Sequence, residues 1–164
     1  MEITLEKQNI VTENILSEEI LEQAIDNEIM LPDFCGNMGR ILKCRAKGKI
    51  ISKRIVNSVL NIDGNVFLTV FYIDESGCLK TFDQTLSFYR ELSLKKDADI
   101  TPFVKCKIEH ISCRMISPRK IEVHGSLSVS VKLIEKVERQ CVKNAESDDI
   151  QLRLESRSVT VPVG

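Results

Sequence analysis

Between Ile121 and Leu133 every second residue is apolar or glycine: Ile121, Val123, Gly125, Leu127, Val129, Val131 and Leu133. Glu122, His124, Ser126, Ser128, Ser130 and Lys132 fill the gaps. A helix would scatter these positions around its surface. An extended strand, whose side chains alternate across a sheet, collects them on one face. Such a strand is dry on one side and wet on the other, so it requires a second layer to cover the dry side.

The same period recurs elsewhere. Val104, Cys106 and Ile108 share one face, and Ile111, Cys113 and Met115 continue with the opposite parity. That flip predicts a bulge near Glu109-His110. Ser117-Pro118-Arg119-Lys120 reads as the turn joining this strand to the long one. Residues 66–73 are apolar on both faces, which predicts a central strand covered on both sides. Asp63-Gly64 before them predicts a type I′ hairpin turn, whose first arm carries Ile55, Val56, Val59 and Leu60. Leu86, Phe88, Leu92 and Leu94 alternate again. Residues 17–30 fit a helical stripe (Leu16, Ile20, Leu21, Ala24, Ile25) and equally a strand (Ile25, Asn27, Ile29, Leu31). The segment after Pro32, through Met38-Gly39-Arg40-Ile41-Leu42, leaves room for one short helical turn. Several strands at close spacing predict a mostly-β, antiparallel, sandwich-like domain with at least six strands and little helix.

Residues 1–135 read as this domain and 136–148 as a polar linker. Residues 149–164 read as the start of a second repeat, because Asp149-Ile150-Gln151-Leu152-Arg153 echoes Glu2-Ile3-Thr4-Leu5-Glu6. Ile150, Leu152, Leu154, Val159, Val161 and Val163 alternate in that tail. It is expected to add to an exposed sheet edge, in its own chain or in a neighbouring copy as a homodimer.

A net charge of −1 provides no field for nucleic acid or an anionic membrane, and the lack of Trp argues against a sugar site built on stacked indoles. No run of apolar residues is long enough to span a bilayer as a helix. The opening residues lack the basic and apolar regions of a secretory signal, so a reducing cytoplasm is expected. Cys35, Cys44, Cys78, Cys106, Cys113 and Cys141 contain no CxxC pair. All six are therefore expected as free thiols, with neither metal nor disulfide needed for folding.

Lys43, Arg45, Lys47 and Lys49 alternate with Cys44, Ala46, Gly48 and Ile50, which on a strand lines four cations along one face. They read either as an interaction surface for an acidic partner or polyanion, or as a solvated face that protects a sheet edge. Nothing aromatic interleaves with them in sequence, which favours the solvated face. Cys106, His110 and Cys113 resemble zinc ligands in type, but an extended strand aims them to different sides. His124 lies on a polar strand face, and no glycine-rich phosphate loop is present. No catalytic, cofactor-binding or metal site is expected, and the chain reads as a protein without enzymatic activity.

Ile29-Met30-Leu31-Pro32-Asp33 followed by Arg40-Ile41-Leu42 resembles the entry signature of the SPOCS domain family. Phe71-Tyr72-Ile73-Asp74-Glu75-Ser76-Gly77 resembles its central strand and turn. Lys107-Ile108-Glu109-His110, with Arg119-Lys120-Ile121-Glu122-Val123, resembles its closing hairpin. Cys35-Gly36-Asn37-Met38-Gly39 departs from the family, which often has a second Pro-Asp pair there. The resemblance implies a structural interaction module of spore-coat morphogenesis, in the mother-cell cytoplasm at the forespore surface. It implies other coat morphogenetic proteins as partners, the coat ATPase SpoIVA among them. It also implies further SPOCS modules and a LysM domain in the full-length protein. The competing function is a β-sandwich that binds glycan or polyanion through the basic strand face.

Overall fold

The computed structural model describes residues 4–95 and 99–146. They form β1 (Thr4–Met30), β2 (Met38–Val56), β3 (Val59–Asp74), β4 (Leu79–Ser93), β5 (Ile100–Ser117) and β6 (Lys120–Glu146). Two antiparallel three-stranded sheets result, ordered β1-β6-β5 and β2-β3-β4. The mostly-β, sandwich-like expectation is borne out, and no helix occurs among the described residues. Residues 17–30 are strand, because β6 presents a ladder to pair with and tertiary pairing overrides local propensity. Residues 38–42 open β2 instead of forming a helical turn.

The chain divides into two compact units, one of which is Ile15–Glu135. The other contains, among the described residues, the outer ends of β1 and β6. There Lys143 pairs with Glu6 at 2.6 Å, and the Thr12 hydroxyl donates to the Val137 carbonyl at 3.2 Å. The expected linker is thus strand as far as Glu146. Its residues are polar, but the outer end of β1 satisfies their backbone groups, and a strand asks for no more than that. The expected second repeat, 149–164, lies outside the described residues.

Within Ile15–Glu135 the core is built from the central strand of each sheet. Leu60, Ile62, Val66, Leu68, Val70 and Tyr72 of β3 are buried, as are Ile121, Val123, Leu127, Val129, Val131 and Leu133 of β6. All belong to one apolar cluster. The period-2 pattern therefore translates directly into burial. The outer face of β3 is not covered as expected: Phe67 there is 42% exposed.

The bulge appears where the parity flips, as a register shift between Ile108 and His110. Ser117 pairs with Lys120 across the Pro118-Arg119 turn. The Asp63-Gly64 turn does not form. Both residues lie inside β3, and the β2–β3 turn is Asn57-Ser58, with φ of 50° and 59°. Asn tolerates this left-handed region better than most residues, so the pair supplies the two positive φ values of a type I′ hairpin. Gly64 serves another need. A Cβ there would overlap the Phe88 ring and stand 2.9 Å from the Lys49 carbonyl oxygen. Gly64→Ala should cost about 1–3 kcal/mol by overpacking, and Phe88→Leu in the same chain should recover part of it. Urea melts of the double-mutant cycle check this, and additive losses would show that the two sites do not touch.

The two sheets meet differently along their two margins. At one margin β2 faces β5. Cys44 and Cys113 are joined there by a disulfide with Cα atoms 6.1 Å apart. A Cβ on Gly48 would lie 2.9 Å from the Cys106 sulfur. Lys53 donates to the Pro102 carbonyl at 2.6 Å and stands 5.5 Å from the centre of the Phe103 ring. The expectation of six free thiols is corrected for this pair, whereas Cys35, Cys78, Cys106 and Cys141 are free. The bonded cysteines come from different sheets, 69 residues apart, which no local spacing reveals. At the other margin β1 and β4 leave a cleft of about 220 Å³, reaching to Val66 and Leu127. Next to it Arg90 of β4 donates to the Glu22 carbonyl of β1 at 2.5 Å.

Candidate functional site

Lys43, Arg45, Lys47 and Lys49 are all exposed, on the outer face of β2. Strand pairing sets them opposite Phe71, Thr69, Phe67 and Asn65 of β3, respectively. Cross-strand partners share a face, so two aromatic rings flank the cations. The rings are distant in sequence and adjacent only through the register.

None of the four has an ion-pair partner among the described residues. Several cations elsewhere are paired: Arg54 with Asp63, Lys107 with Glu109, Arg114 with Glu122, Lys120 with Glu28 and Lys132 with Glu18. Cys106 of β5 abuts Gly48, so the exposed Lys105 beside it adds a cation across the margin, while Lys107 on its other side is paired with Glu109. Concentrated, unpaired, exposed charge beside one exposed ring, Phe67, and one half-buried ring, Phe71, can hold an anionic or acidic–apolar surface.

The residues named as metal-like are not brought together. Burial pushes the Cys106 thiol up, which lowers its share of thiolate. Cys113 is bonded to Cys44, and His110 lies exposed beside the bulge. No cluster of metal-ligating side chains occurs among the described residues.

His124 has company that the sequence did not disclose. Its Nδ1 lies 2.8 Å from Asp26 of β1, and its Nε2 lies 3.2 Å from Glu122. A carboxylate on each ring nitrogen favours the protonated imidazole, and its pKa is raised, chiefly by the Asp26 hydrogen bond and next by that of Glu122. A group whose pKa rises on folding stabilises the fold fully below its unfolded pKa and loses that contribution as pH climbs through the folded value. The melting temperature should therefore fall as pH climbs from about 6.5 through the raised folded value, and His124→Gln should remove that slope. A slope unchanged in the variant would assign it to another group.

One end of the Ile15–Glu135 unit gathers the segments that carried the family resemblance. Arg119 donates to the carbonyls of Leu31, Pro32 and Cys35 and to the Asp33 carboxylate, at 3.0–3.2 Å. Asn37 exchanges hydrogen bonds with Glu75, at 3.1 Å each way. Asp74 accepts from the Ser76 hydroxyl and then from the Cys78 amide, which together lower its pKa. Burial pushes the Tyr72 phenol up beside Cys35. These contacts hold three loops in register and present no open site.

Residues 37–116 match the family model described as SipL, SPOCS domain. That stretch is similar to a SPOCS domain. The matched residues run from the start of β2 through β5, so they include the whole basic face and its aromatic neighbours. The first and last motifs of the resemblance, around Pro32 and Arg119, lie outside the match. The SPOCS match ties the chain to sporulation. No curated protein and no solved structure matches the chain. No helix among the described residues is long and apolar enough to cross a membrane.

Proposed function

We propose that this SPOCS domain is a non-catalytic interaction module of spore-coat assembly. It joins other coat morphogenetic proteins at the forespore surface, on the mother-cell side, and uses no metal or cofactor. The observation that carries the reading is the outer face of β2 and β3. Four exposed cations without ion-pair partners stand there beside Phe67 and Phe71, inside the residues that match the family. A face left open in this way is a contact surface by its chemistry, since unpaired charge and exposed rings are what a protein partner covers. Replacement of the chromosomal copy by the K43E/R45E/K47E/K49E variant tests it in sporulating cells. A fluorescent fusion of the folded variant should fail to form its ring around the forespore. Normal localisation and a normal coat would overturn the reading.

The neighbouring rings also favour a second reading, a glycan or polyanion site on the same face. Titration of the isolated chain with a sulfated oligosaccharide separates the two. Binding that is lost in Phe67→Ala would establish the polyanion site.

A further inference from the structure

The strand that bears the basic face is entirely one-signed. β2 contains Arg40, Lys43, Arg45, Lys47, Lys49, Lys53 and Arg54 and no acidic residue. β1 has the opposite character. Its portion within the Ile15–Glu135 unit contains Glu18, Glu19, Glu22, Asp26 and Glu28 and no cation. Three of these carboxylates touch cations of β6, yet the side chains of Glu18, Asp26 and Glu28 remain 62%, 65% and 57% exposed. Glu19 and Glu22 have no ion-pair partner among the described residues.

The apolar residues complement each other as the charges do. Leu16, Ile20 and Met30 are exposed and interleave with Glu18, Glu22, Asp26 and Glu28 on the outer side of β1. Phe67 and Leu42 are exposed beside the cations of β2. Each strand thus offers charge of one sign around an apolar centre, which is the composition of a protein contact.

Topology keeps the two apart within one copy. With β1-β6-β5 in one sheet and β2-β3-β4 in the other, and β5 set against β2, the acidic β1 and the basic β2 lie at opposite margins. We propose that the β2 margin of one copy docks on the β1 margin of a second copy, so that chains join head to tail. This deepens the reading above and rests on the basic face being a contact surface. Arg90 already ties β4 to the β1 backbone at Glu22, so the contact is made by side chains on the outer faces and not by a strand inserted between β1 and β4. A contact between two different patches leaves one of each free at the ends. It therefore continues past a dimer unless the rotation closes a ring.

Sedimentation velocity of the whole chain over a range of concentrations tests this. At low salt the mass should rise with concentration beyond that of a dimer, and at roughly 0.5 M salt it should return to that of a monomer. K43E/R45E/K47E/K49E alone and E19K/E22K alone should remain monomeric with unchanged melting temperatures. Mixed together they should associate again, because the basic β2 of one variant meets the acidic β1 of the other. The pair R45E/K47E replaces the quadruple variant if the latter melts early. A wild-type chain that stays monomeric at low salt overturns the inference, as does association that survives high salt or either charge reversal. If the wild type stays monomeric while the β2 variant still mislocalises in cells, the partner is a different acidic protein and only this inference fails. If chains associate as described and the β2 variant localises normally, the association stands and the spore-coat reading fails.

Discussion

Reduction of the Cys44–Cys113 bond should lower the stability of the domain by about 4 kcal/mol. That figure follows from the chain-entropy account of a cross-link that closes a loop of this length. The two cysteines are separated by 69 residues, so the bond restricts a large part of the unfolded chain. It also fastens the β2–β5 margin, where no ladder pairing joins the sheets, since β2 pairs as a strand with β3 and not with β5. The core on β3 and β6 does not depend on it, and a domain of ordinary stability has roughly 5–15 kcal/mol to lose. The reduced protein should therefore still fold, with its transition at lower urea. Thiol labelling in denaturant should count four reactive cysteines before reduction and six after. Cys44→Ala with Cys113→Ala should melt like the reduced wild type. If reduction moves the midpoint by less than about 1 kcal/mol equivalent, the Gly48–Cys106 and Lys53–Phe103 contacts hold the margin without the bond. In a reducing compartment the same pair stands as two facing thiols.

The strands were legible wherever one face had to be dry and the other wet. The alternation from Ile121 to Leu133, the parity flip at Glu109-His110 and the turn at Pro118-Arg119 are local signals, and each appears where the pattern put it. Gly64 shows how a local signal misleads. Asp-Gly is the favoured type I′ pair, but here the glycine was needed because Phe88, 24 residues on, lies across it. The turn went to Asn57-Ser58, a weaker signal in the right place. The basic face was legible as a row of cations, since exposure on a strand follows parity. Its aromatic neighbours were not, because the register that brings Phe67 to Lys47 depends on the bulge between Ile50 and Ser52 and on the hairpin turn. The disulfide and the Asp26–His124–Glu122 group were hidden for the same reason: each joins segments that only the topology makes adjacent.

Arg119→Ala should cost about 3 kcal/mol, because one side chain serves several acceptors at once. The loop between β1 and β2 turns its carbonyls inward at Leu31, Pro32 and Cys35, and the guanidinium answers all three. Truncation removes the guanidinium from the Leu31 and Cys35 oxygens and leaves Pro32 only the Cys35 amide, and an unpaired partly buried carbonyl costs more than the bond itself is worth. The backbone beside it is tied in the same place: the Leu31 amide donates to the Arg119 carbonyl at 2.9 Å, and the Met38 amide donates to that of Pro118 at 2.7 Å. Loss of the side chain should therefore loosen the whole loop, with Leu31, Met38 and the Tyr72–Cys35 contact behind it. Arg119→Lys should recover little, since a single ammonium cannot span a fork of acceptors. Asp33→Ala is the contrasting change. Its carboxylate is fully exposed, so loss of its pair with Arg119 should cost no more than about 0.5 kcal/mol. Urea melts rank the three variants, and hydrogen exchange at the Leu31 and Met38 amides locates the effect. Protection at those amides should drop in Arg119→Ala and hold in Asp33→Ala. If Arg119→Ala melts with the wild type, the guanidinium is solvated and the loop is held by its backbone alone.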